Sequence, residues 1–298
     1  DANPKTEKNH EFVRNAAALH GVGLKAPEVR GVDYDHGLLA VTDLGDTQLI
    51  GCLNADNVLA WYGKAIALLP RLGAVELELE PFDAAFMARE NAIFPEWLLG
   101  QHLQLTLSAE EEQLLAETFA CLTANNLAQP QGVMHRDFHS RNLMVCGGQT
   151  PGESELAIID FQDMVIGPLS YDLVSLLKDC YVRWPDEVIE QGMRQGFETL
   201  RQAELLGGLD YAAFRRAADL TGMQRHLKAA GIFTRLWHRD GKSGYLKDIP
   251  RTLDYVVDVC RTHGESYPVL VRFGAWLEQV VLPGLTRVAE ARADGAAS

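Results

Sequence analysis

Two polar islands, each at the end of an apolar run, constrain this 298-residue chain more than any other feature. The first, His135-Arg136-Asp137-Phe138-His139-Ser140-Arg141-Asn142, follows Val133-Met134 and leads into Leu143-Met144-Val145. The second, Asp160-Phe161-Gln162-Asp163, follows Leu156-Ala157-Ile158-Ile159. The apolar runs predict short strands, read as two β-hairpin arms that present acidic or amide oxygens from their ends. Asp137 and Asn142 stand five apart, and Asp160 stands eighteen beyond Asn142. Phosphoryl transfer asks little covalent work of a protein; it needs an oriented acceptor hydroxyl and cations that neutralise charge on the transferring group. Asp137 can take or aim the hydroxyl proton. Asn142 and Asp160 offer hard oxygen ligands, which suit Mg²⁺ and leave room for phosphate oxygens and water. A polar hairpin between buried strands would account for each island singly, but not for their order and spacing together.

The spacing of Asp137 and Asn142 is that of the H-x-D-x-x-x-x-N loop of kinases, and Asp160-Phe161-Gln162 falls where their D-F-G turn stands. His139 occupies the position where protein kinases usually carry Lys, and in this the chain resembles the aminoglycoside phosphotransferase/choline kinase-like superfamily. Gly167-Pro168, Tyr171-Asp172-Leu173-Val174-Ser175-Leu176-Leu177 and Gln224-Arg225-His226-Leu227-Lys228 extend the likeness. With them the chain most resembles, over nearly its whole length, the bacterial N-acetylmuramate/N-acetylglucosamine anomeric kinases of cell-wall recycling.

That resemblance implies an α+β, protein kinase-like two-lobed fold. Residues 1–46 would be the remainder of a truncated small β lobe with its hinge, and residues 47–298 a large, mostly helical lobe. It implies ATP and Mg²⁺ as cofactors, Asp137 as the catalytic residue, and Asn142 and Asp160 as metal ligands. The backbone of Thr42, Asp43 and Leu44 would meet the adenine edge. His135, His139 and Asp172 would support the site, Asp172 as a buried carboxylate steadying the catalytic-loop backbone. The implied acceptor is the anomeric hydroxyl of N-acetylmuramate and/or N-acetylglucosamine, giving the α-1-phosphate in peptidoglycan recycling. Glu96, Arg225 and His226 would shape the sugar pocket. An aminoglycoside or amino-alcohol (choline-like) acceptor keeps the fold and changes the pocket. No Gly-rich loop or V-A-I-K-type lysine stands near the start, so the resemblance also implies that the first strands lie before residue 1.

The bare residues leave other readings open at several of these positions. His135, Asp137 and His139 alternate, as ligands of a metallohydrolase on one strand face would. Asp172 could be a first-turn residue of the following helix and no more, and Asp163 could touch metal through water or merely bond its turn. A charged helix face such as Gln224 to Lys228 is ordinarily solvated, although Arg225 there would suit a carboxylate.

A net charge of −14 with no basic stripe argues against a nucleic-acid partner. Five scattered cysteines without C-x-x-C pairing read as thiols of a reducing, cytoplasmic compartment. No apolar run approaches the ~18 residues of a membrane span. The expected partners are therefore ATP and a small amino sugar, with neither nucleic acid nor membrane.

The remaining pattern is largely helical. Helices are expected over Glu11–His20, over Asn54–Leu72 with Trp61 in the core, and from Pro81-Phe82-Asp83 to an interruption at Pro95. Ser108 and Glu111 form a capping box for another. Strands are expected at Glu28–Asp33 and Gly37–Thr42, a polar loop over His238–Tyr245, a helix from Asp248 to Gly264, and fraying over 291–298.

Overall fold

The structure, a computed structural model, describes residues 8–296. The chain opens with α1 (Asn9–Gly21), then β1 (Val29–Asp33) and β2 (Leu38–Val41), an antiparallel pair turning through Tyr34-Asp35-His36. The single helix expected over Asn54–Leu72 is two, α2 (Val58–Ile66) and α3 (Leu69–Gly73), because Pro70 in the first turn of α3 has no N–H to continue the ladder. Trp61 of α2 is fully buried. Next comes α4 (Ala84–Asn91), whose first turn is capped by the Asp83 carboxylate, which accepts the Phe86 N–H at 2.8 Å. Pro95 does not end the helical path as expected; the chain rewinds into a π-helical stretch, Phe94–His102. A missing N–H and a ring that crowds the carbonyl four residues back favour that wider winding.

The expected capping box opens α5 (Ala109–Leu127). There follow β3 (Gln131–Met134), β4 (Leu143–Gly147), β5 (Ser154–Ile158), β6 (Val165–Pro168), α6 (Ser170–Leu177) and α7 (Asp186–Gln202). The last part contains α8 (Tyr211–Asp240), α9 (Ile249–His263), α10 (Pro268–Trp276) and α11 (Leu282–Ala296). His238 to Asp240, expected in a loop, complete α8. The tail expected to fray is helical through Ala296, and residues 297–298 lie outside the described residues.

The strands are not two separate hairpin arms. β4 pairs with β5 in a true hairpin, Leu143 opposite Ile158, while β3 pairs with β6, Met134 opposite Val165. The pairing is nested, so each polar island runs between the same two strand pairs: residues 135–142 join β3 to β4, and residues 159–164 join β5 to β6. The Ile159 N–H donates to the Asn142 carbonyl at 3.1 Å, one step beyond the β4–β5 ladder.

Contacts group the chain into two compact units. The first takes in the chain up to Phe82, Gln129–Asp179 and Trp184–Arg215, and so holds all six strands and both islands. Every residue of α6 is buried there. Helix α7 turns Gly192 and Gly196 toward it; a Cβ at either would lie 2.4 Å from a methyl of Leu177 or Leu173, so this close approach needs both glycines.

The second unit comprises Asp83–Ala128, Cys180–Arg183 and the chain from Arg216 on. Its core includes Phe94, Leu98, Met223, Leu227, Leu253 and Phe273. The charged face of α8, expected in solvent, is buried at Gln224, Arg225, His226 and Lys228. Burial is tolerable because each finds a partner: Lys228 pairs with Glu90 at 3.0 Å, Gln224 Nε2 donates to Asn91 Oδ1 at 3.0 Å, Arg225 Nη1 meets Cys180 Sγ at 3.4 Å, and the His226 ring stacks on Tyr255. Gly231 brings the same helix against the π-helical approach, where a Cβ would stand 2.6 Å from the Ile93 carbonyl oxygen. Backbone cannot yield as a side-chain tip can, so Gly231→Ala is expected to cost about 1–3 kcal/mol. Denaturant unfolding of the two proteins checks this; equal midpoints would contradict the packing.

Candidate active site

Loop 135–142 is held from beneath by α6. The Asp172 carboxylate accepts the His135 N–H at 2.7 Å and the Arg136 N–H at 3.0 Å, and the Ser175 hydroxyl, which donates to the Tyr171 carbonyl at 3.0 Å, lies 3.5 Å from the Arg136 carbonyl. Arg136 lies in left-handed space with φ of 78°, a conformation that costs a non-glycine residue about 1 kcal/mol or more unless its surroundings enforce it. His135 is buried and has a fixed tautomer. Nδ1 accepts the Asp137 N–H at 3.3 Å, so Nε2 carries the proton and donates to the Ile159 carbonyl at 2.9 Å. No lone pair of that ring is left for a metal, and no cluster of three His, Cys, Asp or Glu suited to one occurs among the described residues. The bonds at His135 therefore speak against its serving as a ligand in the metallohydrolase alternative.

Beyond Asp137 the loop closes on itself. The His139 N–H donates to the Asp137 carbonyl and the Asn142 N–H to the His139 carbonyl, both at 2.9 Å. His139 is buried, and Asp137 is half-buried. Ser140 donates from its N–H, at 3.2 Å, and from its hydroxyl to one oxygen of Asp179.

The Asn142 amide nitrogen joins the two islands. It donates to the Asp137 carbonyl at 3.0 Å and to Asp160 Oδ2 at 3.2 Å. Asp160 is exposed, and its Oδ1 accepts from Gln162 Nε2 at 2.7 Å. With both hydrogens of the Asn142 amide engaged, its oxygen is the atom left for a cation beside the Asp160 carboxylate. Two hard oxygens from two side chains, with no sulfur and no imidazole, fit Mg²⁺. Asp160 too is left-handed, with φ of 62°.

The turn after Asp160 is tied to α1. Phe161 is buried and stacks on Phe12 at 4.8 Å between ring centroids, and its carbonyl accepts Asn15 Nδ2 at 2.9 Å. Asp163 pairs with Lys8 at 2.6 Å, and its carbonyl accepts Arg136 Nη1 at 3.3 Å.

In the segment expected to meet the nucleotide base, the Thr42 N–H donates to the Glu28 carbonyl at 2.9 Å and Thr42 Oγ1 accepts the Glu28 N–H at 2.9 Å. The Asp43 carboxylate caps the Gly45 N–H at 2.8 Å, and the Leu44 carbonyl receives the Cys146 thiol at 3.7 Å. Glu96, Arg225 and His226 belong to the second unit. Glu96 is exposed at the start of the π-helical stretch, whereas Arg225 and His226 are buried against Cys180 and Tyr255.

Three contributors escaped the sequence reading: Asn15, Ser175 and Asp179. Each carries a faint signal, being a polar residue within or just after an apolar stripe. Asn15 sits among Phe12, Ala16 and Leu19, Ser175 stands three residues after Asp172 on its side of the helix, and Asp179 follows two residues past the end of α6.

Burial pushes the Asp172 carboxyl up to about 6, with Asp137 adding to the rise while His135 and the two N–H bonds oppose it. A protonated Asp172 cannot accept equally from two N–H groups, so turnover is expected to fall as pH drops through about 6. Stability runs the other way. Between the ordinary 3.8 and about 6 the folded chain holds a proton that the unfolded chain releases. This group's contribution to stability therefore falls as pH rises through that window. The expected result is opposite slopes for rate and for the melting difference between wild type and Asp172→Asn; parallel profiles would contradict it. Separately, Asn15→Ala leaves the buried Phe161 carbonyl without its donor and is expected to destabilise by about 1–3 kcal/mol in chemical denaturation. An unchanged midpoint would show that the α1 tie is dispensable.

Comparison with known proteins identifies the family. The family model for the phosphotransferase enzyme family, APH, matches residues 1–206. The chain is 36% identical over 261 residues to an N-acetylmuramate/N-acetylglucosamine kinase of Pseudomonas putida, covering 87% of this chain and 75% of that one. It is 38% identical over 254 residues to the N-acetylmuramate/N-acetylglucosamine kinase of Neisseria meningitidis serogroup B, covering 83% and 74%. Among solved structures it resembles Plasmodium vivax ethanolamine kinase, with a TM-score of 0.61 at 10% identity over 84% of this chain and 73% of that one. At that identity the likeness speaks for the fold alone, which is α+β and protein kinase-like. This chain belongs to the phosphotransferase enzyme family.

Proposed function

We propose that the protein transfers the γ-phosphoryl group of ATP to the anomeric hydroxyl of an amino sugar, N-acetylmuramate and/or N-acetylglucosamine, giving the α-1-phosphate. The observation that carries the reading is the Asn142 amide, which bonds the Asp137 carbonyl and the Asp160 carboxylate at once. Acceptor and donor ends of a phosphoryl transfer are thereby held within one hydrogen-bonded frame. The relatives supply the acceptor, since both are named for these two sugars.

Asp137 takes the proton of the acceptor hydroxyl as the new O–P bond forms and the bond to ADP breaks. An anomeric hydroxyl is more acidic than an ordinary sugar alcohol, so modest help from a carboxylate suffices. Asn142 and Asp160 would hold Mg²⁺, which when bound neutralises charge on the transferring group. Asp172 and His135 keep Asp137 at the loop position where a hydroxyl can reach it. The Thr42–Leu44 backbone takes the base edge. The setting is the cytoplasm, where both ATP and recycled wall sugars are at hand. Among the described residues no helix is long and apolar enough to cross a membrane.

A screen of ATP with amino sugars, aminoglycosides and amino-alcohols, with the phosphate position read by NMR, tests the acceptor. Phosphate on the anomeric oxygen of N-acetylmuramate or N-acetylglucosamine is expected; transfer only to an aminoglycoside or choline would overturn it. Asp137→Asn is expected to lower kcat by about 10²-fold or more with ATP affinity kept, and near-normal turnover would remove Asp137 from its role.

A further inference from the structure

Loop 135–142 has a second anchor. Asp172 holds its first half, the peptides just before Asp137. On the other side, one oxygen of Asp179 receives both donors of Ser140, the N–H at 3.2 Å and the hydroxyl. Asp179 is fully buried and lies two residues past the end of α6. The Ser140 carbonyl accepts the Ile50 N–H at 3.0 Å, so the peptides on both sides of this residue are held. Ser140 stands between Asp137 and Asn142, two residues before the amide that reaches Asp160. A buried side-chain oxygen serving two donors of one residue fixes direction as well as distance.

We propose that Asp179 is a positioning residue of the phosphoryl-transfer site, acting through Ser140 to set Asn142 against Asp137 and Asp160. The proposal rests on the reading of Asn142 and Asp160 as the cation's ligands. Asp172 fixes where Asp137 stands, and Asp179 fixes where Asn142 stands. Asp172 lies within α6 and Asp179 two residues past its end, so both anchors of the loop come from one stretch of chain. Asp179 is fully buried and acts through Ser140, so its effect is expected on the cation and on kcat rather than on acceptor binding.

The test compares Asp179→Asn, Ser140→Ala and the double variant. It reads kcat, acceptor KM, the Mg²⁺ concentration for half-maximal rate, and Mn²⁺ binding in the presence of ADP by electron paramagnetic resonance. Asp179→Asn is expected to lower kcat tenfold or more and Mn²⁺ affinity several-fold, with acceptor KM within twofold of wild type. Ser140→Ala, which keeps the N–H bond, is expected to move the same quantities less. The double variant should match Asp179→Asn alone, because residues acting through one contact do not add. Wild-type Mn²⁺ affinity and kcat in folded Asp179→Asn, or fully additive losses, would overturn the proposal. Should Asp179→Asn fail to fold, Ser140→Ala decides: weakened Mn²⁺ binding at an unchanged melting temperature supports it, and unchanged binding and kcat overturn it. If wild type phosphorylates no amino sugar while the variants still bind Mn²⁺ more weakly, the acceptor assignment fails and the role of Asp179 stands.

Discussion

The site depends on one buried carboxylate. Two consecutive N–H groups, those of His135 and Arg136, point at Asp172 at 2.7 and 3.0 Å. Without that acceptor the left-handed peptide at Arg136 has little to hold it, and Asp137 loses its direction. The carboxylate is placed by packing: α6 is buried on every side, and the glycines of α7 let Leu173 and Leu177 sit close. Its cost is visible in the carboxyl itself, pushed up by burial to about 6. A chemical position is thus maintained by a desolvated charge, a trade accepted more readily at a site than in an ordinary core.

The second half of the site approaches from the neighbouring strand ends. Nested pairing places the start of β4 beside the end of β5, and the bond from Ile159 to Asn142 carries that register into the loops. Helix α1 then fixes the Asp160 turn through Asn15, Phe12 and Lys8. Asp137 and Asp160 are both acidic, in a chain of net charge −14, and a triphosphate adds more negative charge. Electrostatics alone would repel such a substrate, which is why the proposed reading places a divalent cation beside Asp160 and Asn142.

What could be read from the chain alone was whatever is set by local spacing. Asp137, Asn142 and Asp160 were legible because five- and eighteen-residue intervals place them at the ends of successive apolar runs. Ser108 with Glu111 was legible because a capping box is closed within one turn. Strand partnership was not: β3 prefers β6 over its sequence neighbour, a choice made by contacts more than thirty residues away. The polar face of α8 misled for a similar reason. Gln224 and Lys228 look solvated until Asn91 and Glu90, over a hundred residues earlier, are brought to them. Asp179 and Asn15 signal only faintly in one dimension, because the Ser140 donors and the Phe161 carbonyl that they meet are brought to them by the fold.

The central claim is that Asn142 and Asp160 form one cation-assisted phosphate site with Asp137. Thermal unfolding with ATP, in the presence and absence of Mg²⁺, addresses it without any acceptor being known. Wild type is expected to melt higher with ATP and Mg²⁺ together than with ATP alone, and Asp160→Asn is expected to lose that increment while keeping its unliganded melting temperature. An Mg²⁺-dependent increment that survives intact in Asp160→Asn would contradict the account.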